Sequence, residues 1–426
     1  MSTVLARDGM YIYQALNDAR QQIRLVKLEK RSSKRSPRCS IHAFDLASAP
    51  KYIALSYTWG PSDPSHRISI DHKTFQVREN LYNFLCSFQT GSAVKTDIAY
   101  IYIDQICINQ EDIQERNNQV RLMSDIYTQS SLVVVWLGSD PKMVRAAYAI
   151  DDDMENADEL HTPTASIRTL LSSEYFTRIW IVQEVSLARS IRILIGDYEL
   201  HWAAAKFVAE RIDPMKPVNN LRTLNDLFKE NERKKGQQQL DKIIGKYSVH
   251  ECQDPRDKVY GFLGMVPAWQ RPVVDYTKSV HQVFLDVIPI VLDVYWQNKP
   301  TEVITNTSFY GHFRVYLENM LKVAWNMKFP DHDHRGLILL FQEIVDVEDE
   351  LSKELDDALT LMNIIDGFGY ETIDPPVIDE REGVLMGRWW MKLGDDKYYY
   401  DCRTSAQPLH QLSAWRFLSE VQRIKT

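Results

Sequence analysis

A tryptophan and a carboxylate four residues apart are the strongest chemical feature of this sequence. Trp180 and Glu184 lie in the segment Glu174–Leu187, whose spacing predicts a helix, and the row that contains both is otherwise apolar. A carboxyl group in such a row is desolvated, which raises its pKa and can tune it for catalysis. The alternative is a structural role, in which Glu184 pairs with Arg178 or Arg189.

Other candidate binding residues lie at the ends of apolar runs in the sequence. The runs over residues 52–59 and 97–104 are typical of buried strands, and Tyr57, Trp59 and Asp104 lie at their ends. In parallel sheets, ligands bind beyond the carboxyl ends of the strands. The two aromatic rings could stack on a ligand, although core packing explains them equally well. Asp104 could likewise line a cleft or hold a turn.

The loop that follows Asp104 contains Cys107 and a candidate helix cap, Asn109. This loop could form the lip of a cleft or a self-association surface, or it could simply hold the turn before the next helix. Because no histidine stands near it in the sequence, Cys107 is not predicted to be a nucleophile.

Familiar catalytic motifs do not occur. The sequence has no phosphate-binding GxxxxGK[ST] loop, no GxGxxG after the first strand, no GxSxG elbow and no HExxH. The run Asp331–His334 has side chains that can ligate a metal, but short runs of this kind are usually solvated turns. We therefore predict no metal site. The basic stretch Lys30–Arg38 is interpreted as a hairpin loop, with a nuclear address or an anion patch as the alternative.

The elements that must position these residues alternate between strands and helices. Continuous apolar strands separated by amphipathic helices predict an α/β fold, in which a parallel sheet is flanked by helices. The segment Pro141–Ser173 is predicted to be an acidic helical insertion. The remaining expectations are hairpins at residues 23–46, 67–77, 191–202 and 388–402, helices at 79–88, 113–127 and 221–240, and a strand at 132–137.

Composition excludes several classes of protein. The chain has 426 residues, of which 44% are hydrophobic, and a net charge of −8. The apolar content is enough for large cores, and the negative charge argues against a nucleic-acid partner. Five cysteines without a CxxC pair favour a reducing compartment. Because no apolar run lacks charges for long enough to span a membrane, a cytoplasmic location is expected.

Several blocks in one order resemble the fungal heterokaryon-incompatibility (HET) domain. They are Tyr52–Gly60, Tyr102–Gln110, Val133–Gly138 and Arg178–Glu184, and the resemblance covers about residues 20–200. Segments similar to Asp254–Gly264 follow the domain in many such proteins. The resemblance implies a role in fungal non-self recognition and programmed cell death. It gives a HET domain at 1–205 with the helical insertion at about 141–173, a helical extension at 206–300 and a variable C-terminal region at 301–426.

The order of these blocks also resembles TIR (flavodoxin-like) domains, whose corresponding helix carries Trp-x-x-x-Glu. In the TIR domains that cleave NAD, this Glu is catalytic, so the resemblance implies Glu184 as the catalytic residue and NAD as a substrate rather than a cofactor. Arg67 or Arg178 could then pair with the pyrophosphate. The substrate-binding residues implied are Tyr57, Trp59, Arg67, Asp104, Arg178 and Trp180.

Two other functions remain open. The chain could be a non-enzymatic adaptor of death signalling that acts by self-association or by binding a partner. It could also sense a nucleotide without turning it over. In each case we expect an external sensor or an allelic partner protein, because the sequence shows no repeat array that would serve as a sensor.

Overall fold

The computed structural model describes residues 9–29, 36–89, 96–155, 163–212, 220–232, 238–247, 249–280, 282–284, 286–287 and 290–291, and the backbone of residues 377–379, 384–393 and 396–403. The described residues fall into two compact units. The first comprises those up to Ile243 together with Val249–Thr277, and the second comprises those of Ile244–Ser248 and from Lys278 onward. The predicted HET-domain boundary at residue 205 lies inside the first unit.

The first unit begins with five strands, and strands and helices follow one another from Glu79 onward. Its strands are β1 (Gln22–Leu28), β2 (Arg38–Asp45), β3 (Tyr52–Tyr57), β4 (Ser65–Ile70), β5 (Lys73–Arg78), β6 (Tyr100–Tyr102), β7 (Leu132–Trp136), β8 (Ile191–Ile195) and β9 (Tyr198–His201). The helices include α1 (Glu79–Gln89), α2 (Asp104–Cys107), α3 (Ile113–Gln129), α4 (Pro141–Glu155), α5 (Pro163–Leu171), α6 (Trp180–Ser186), α7 (Trp202–Ala209), α8 (Leu221–Glu232), α9 (Leu240–Tyr247) and α10 (Asp257–Tyr260). The described residues between 280 and 291 are helical as well.

The nine strands form one mixed sheet in the order β5-β4-β2-β1-β6-β3-β7-β8-β9. Its centre, β6-β3-β7-β8, is parallel, as the continuous apolar runs predict. The flanks consist of the predicted hairpins β1–β2, β4–β5 and β8–β9. Strand β1 also runs antiparallel to β6, whereas β2 pairs in parallel with β4. Consecutive strands joined directly can only pair in opposite directions, since a parallel connection needs a long crossover. The α/β fold is confirmed, whereas the TIR-like assignment stays a prediction.

The two faces of β3 are covered by different helices. Successive residues of a strand point to opposite faces. Tyr57 is paired in register with Trp136 of β7, and the ring of Trp136 meets Phe84 of α1 at 5.7 Å between centroids. Ser56 faces the other way, toward α6. Thus α1 covers the Tyr57 face of the sheet, and α6 covers the Ser56 face.

Helix α3 begins as the sequence predicts. Of the two candidate caps, Asp112 is the one used, because its carboxylate accepts hydrogen bonds from the backbone N–H groups of Gln114 and Glu115. On the buried side, the hydroxyl of Tyr127 donates to the carbonyl of Leu55, 2.9 Å away. This bond fixes α3 against the strand that carries Ser56.

The predicted continuous helix over Glu174–Leu187 is wrong. A short 3-10 turn, Glu174–Thr177, is followed by an extended residue, Arg178 (φ −71°, ψ 138°), and only then by α6. Arg178 pairs with Glu251 in an isolated β-bridge, which breaks the helical hydrogen-bonding at this point. The apolar row inferred from the sequence is therefore not one continuous stripe.

In the second unit, β11 (Val384–Leu393) pairs antiparallel with β12 (Asp396–Arg403), which confirms the predicted late hairpin. A short strand, β10 (Val377–Asp379), extends it to three strands. The basic residues 30–35 and the run Asp331–His334 lie outside the described residues. Among the helices described, none has the length and apolar character needed to cross a bilayer.

Candidate active site

Glu184 lies in the middle of α6 and is only 1% exposed. Its Oε2 accepts a hydrogen bond from the hydroxyl of Ser56 on β3. The hydroxyl of Tyr175 lies 2.7 Å from Ser56 Oγ, and it donates to that oxygen when the serine proton is directed to the carboxylate. Two hydroxyl groups in series therefore lead to Glu184 from the sheet side.

Arg178 supplies the positive charge of the site. Its Nη1 lies 3.7 Å from Glu184 Oε2, which makes an ion pair but is too long for a hydrogen bond. This buried nitrogen has no hydrogen-bond partner among the described residues. A buried, unsatisfied guanidinium N–H is costly, and it is a donor available to an acceptor that enters the site. The extended backbone at Arg178 is what separates this side chain from α6.

The surroundings of Glu184 bring the pKa of its carboxyl group close to neutral pH. Its pKa is raised to about 7. Burial is the largest cause and the negative charge of Asp104 adds to it, while Arg178 and the hydrogen bond from Ser56 act in the opposite direction. Burial also raises the pKa of Asp104, against the opposing effects of Arg178 and of the hydrogen bond from Trp59. The positive charge of Arg178 thus acts on both carboxyl groups, and the charge of Asp104 acts on Glu184, so their ionisation is coupled.

Trp59 and Asp104 meet at the carboxyl ends of β3 and β6. The indole N–H of Trp59 donates to Asp104 Oδ2 at 2.8 Å, and the guanidinium of Arg78 lies 5.1 Å from the centre of the Trp59 ring. Arg78 also donates to the carbonyl of Gly60, whose φ of +73° turns the chain away from the sheet. The indole is therefore fixed at one edge and covered by a cation on its face.

The other sequence-predicted residues are placed differently. Tyr57 is buried on the opposite face of β3 from Ser56, with 1% exposure. Its hydroxyl lies 3.4 Å from Gln105 Oε1 and also forms a hydrogen bond with Asp104, so the structure brings Tyr57 to Asp104 but not to Glu184. Arg67 is exposed on β4, which three strands separate from β3, so the structure does not bring it to Glu184. Trp180 begins α6, and its indole N–H donates to Asp257 Oδ2 at 3.0 Å.

This cluster offers a carboxyl group that can change its charge near neutral pH, an arginine with a free donor and a chain of hydroxyl groups. Such a set can stabilise a developing positive charge or move a proton. Among the described residues, no group of three or more His, Cys, Asp or Glu side chains could hold a metal ion.

The comparison with known families decides the identity of this region. The family model described as heterokaryon incompatibility protein (HET) matches residues 52–184. Residues 52–184 are therefore similar to the HET domain, and they are called the HET domain below. A segment of 134 residues is 38% identical to "Heterokaryon incompatibility protein 6, OR allele" of Neurospora crassa, and covers 29% of this chain and 20% of that protein. The chain thus spans about a fifth of the length of this relative. No solved structure matches it.

The HET domain contains most of the cluster. Trp59, Asp104, Arg178 and Glu184 all fall within the matched residues, and Glu184 is the last of them. Asp257, which binds Trp180, lies outside the match but inside the same compact unit. The residues matched by the family model therefore end inside the site, at Glu184, and do not include all the residues that form it.

Sequence reasoning missed three contributors to the site of the HET domain. Ser56 gave a usable signal, because it is a polar residue in the middle of the apolar run of β3. Tyr175 gave none, since a tyrosine next to Phe176 fits ordinary core packing. Arg78 gave none either, because it ends a hairpin strand and reaches the site only through the fold.

Proposed function

We propose that this chain acts through its HET domain in fungal non-self recognition and programmed cell death, and that the domain hydrolyses NAD to nicotinamide and ADP-ribose. The biological role is supported by the family match and by the Neurospora crassa relative, whose printed name denotes an allele of an incompatibility protein. The chemical role is supported chiefly by one observation: a buried carboxyl group, Glu184, beside the unsatisfied guanidinium N–H of Arg178.

The reaction needs little beyond electrostatics. The bond between ribose C1′ and the nicotinamide nitrogen breaks, and its electron pair neutralises the pyridinium ring, so the leaving group needs no proton. The ribose passes through an oxocarbenium-like state, as in glycoside hydrolysis. A water oxygen then bonds to C1′ and releases one proton. An ionised Glu184 would stabilise the positive charge on the ribose or accept that proton.

The neighbours of Glu184 have complementary tasks in this proposal. The free N–H of Arg178 suits an oxygen of the ribose or of the pyrophosphate. The indole of Trp59, fixed by Asp104, offers a ring for a base or for nicotinamide. Because the pKa of Glu184 is about 7, the ionised form required by this mechanism increases through neutral pH.

The test uses the purified full chain at high concentration with NAD, and chromatography to detect nicotinamide. Glu184→Gln retains the shape of the side chain and removes its charge, so release should fall at least about 100-fold, the scale of a lost charged catalytic group. Glu174→Gln is the matched control, because Glu174 is an exposed residue of the same type in the preceding turn. Equal release by wild type and Glu184→Gln would remove Glu184 from the mechanism.

A second function is favoured by a different observation. Glu184 is almost fully enclosed by Ser56, Tyr175 and Arg178, as expected for a carboxylate that only supports packing. The domain would then be an adaptor that acts by self-association or by binding an external sensor or allelic partner.

Killing of fungal cells separates the two functions. The adaptor should still kill with Glu184→Gln, and should lose killing with Arg121→Glu, a reversal of charge on the exposed side of α3. Arg168→Glu on the exposed side of α5 is the control for a change of charge alone. Loss of killing with Glu184→Gln in a normally folded protein would exclude the adaptor.

A further inference from the structure

The 249–277 segment lies outside the matched residues, yet it shapes the helix that carries Glu184. At its start, the backbone of Glu251 pairs with the residues around Arg178: its N–H donates to the carbonyl of Thr177 at 2.6 Å, and its carbonyl accepts from the N–H of Ile179 at 2.9 Å. These two bonds form the bridge that keeps Arg178 extended. The position of the arginine next to Glu184 therefore depends on residues far along the chain.

Asp257 holds the first residue of α6. One of its carboxylate oxygens accepts from the indole N–H of Trp180 at 3.0 Å, and the other accepts from the hydroxyl of Tyr276 at 2.6 Å. Asp257 is buried, and Tyr276 is in turn covered by the guanidinium group of Arg116, 3.7 Å from its ring centre. Burial raises the pKa of Asp257 to about 6, whereas its two donors lower it.

The same segment contacts α6 one turn further along. The N–H of Gly264 donates to Gln183 Oε1 at 2.8 Å, next to Glu184 in the chain. A Cβ atom at Gly264 would lie 2.2 Å from Ser124 Cβ and 2.8 Å from Leu187 Cδ1, so the backbone of the segment is in direct contact with α3 and α6. Tyr276 completes the attachment, because its N–H donates to Asn117 Oδ1 of α3 at 2.8 Å.

We propose that Asp257 is a positioning residue for Glu184, and that the 249–277 segment is therefore a working part of the site of the HET domain. Asp257 fixes Trp180 at the start of α6, and Glu251 fixes Arg178 just before it. Between them they set where the carboxylate and the guanidinium stand. The kinetic part of this inference rests on the proposed NAD hydrolysis; the structural part does not.

Three variants of the full chain test the proposal. Asp257→Ala removes the acceptor for Trp180, and we expect the kcat for nicotinamide release to fall at least about 10-fold with little change in KM, because Asp257 is not placed against substrate. Asp257→Asn retains an oxygen that can accept from the indole and should restore most of the kcat. Asp45→Ala is the matched control: it removes an aspartate of the same compact unit that binds Arg20 and Gln22 rather than α6 or the 249–277 segment.

Amide hydrogen exchange supplies a readout that does not depend on activity. Asp257→Ala should speed exchange at residues 180–187, Asp257→Asn should restore the protection, and Asp45→Ala should leave it unchanged. Unchanged exchange in Asp257→Ala, or an equal effect of Asp45→Ala, would overturn the proposal. If the wild-type protein releases no nicotinamide, the proposed hydrolysis fails, and the exchange at residues 180–187 still decides whether Asp257 positions α6.

Discussion

The pH dependence of stability offers a direct test of the burial of Glu184. Its ordinary pKa is 4.5, and burial raises this value to about 7 in the folded protein. Between these two values the unfolded chain has lost the proton while the folded chain retains it. Raising the pH through this window therefore lowers the free energy of unfolding, and the loss is complete above about pH 7. The difference between the two pKa values corresponds to about 3 kcal/mol.

Glu184→Gln removes this penalty. A glutamine is neutral at every pH, and its amide oxygen can still accept the hydrogen bond from Ser56. The variant should be more stable than the wild-type protein by up to about 3 kcal/mol at pH 8, and by less than about 1 kcal/mol at pH 5. These stability differences already include the loss of the ion pair with Arg178, because Arg178 is one of the groups that determine the pKa of Glu184. A gain in stability on removing a functional group is common at active sites.

Urea unfolding followed by tryptophan fluorescence at pH 5, 6, 7 and 8 measures the effect. The quantity to compare is the change in the free energy of unfolding between variant and wild type at each pH. Glu174→Gln, at an exposed position, should show a difference close to zero throughout. A difference for Glu184→Gln that does not vary with pH, or a variant less stable than wild type at pH 8, would refute the burial argument.

Three further predictions follow from named contacts. Arg178→Gln should shift the pH at which nicotinamide release begins to higher values, because Arg178 lowers the pKa of Glu184; a pH profile of the rate measures it, and an unchanged profile would contradict it. Glu115→Gln should destabilise the protein by about 3 kcal/mol or more in urea unfolding, since Arg24 would remain buried without its charged partner; a loss under about 1 kcal/mol would show that the pair is solvated. Gly264→Ala should lower stability by about 1–3 kcal/mol through overpacking against Ser124, which thermal unfolding would detect as a lower Tm, and an unchanged Tm would mean that the contact relaxes freely.

The centre of the fold was predictable because its signals are local. The strands β3 and β7 are continuous apolar runs, and every residue in them is buried. Helix α3 carries its own cap in Asp112. The flanking hairpins were predicted as well, and their antiparallel pairing is confirmed. The antiparallel pairing of β1 with β6 and the parallel pairing of β2 with β4 were not predicted, because they join strands that are not neighbours in the chain.

The candidate site was predictable only in part, because its geometry depends on distant residues. Glu184 stood out from its own neighbours in the sequence. The break at Arg178 did not, since it is caused by pairing with Glu251 rather than by any helix-breaking residue nearby. Trp180 was expected to face substrate, yet its hydrogen bond goes to Asp257. Contacts of this kind carry no periodicity and leave no trace in either partner's local sequence.

The arrangement of the outer strands has a consequence for assembly. Fibrils and strand-swapped dimers grow when a strand of one molecule adds to an open edge of another. On the β5 side, that edge is already occupied around Thr74, whose backbone bonds to Gly9 and Tyr11. The four-residue strand β9 forms the opposite edge and leads directly into α7. If copies of this domain polymerise by extending their sheets, a new strand adds at β9. Residues 9–11 block the addition of a strand at β5.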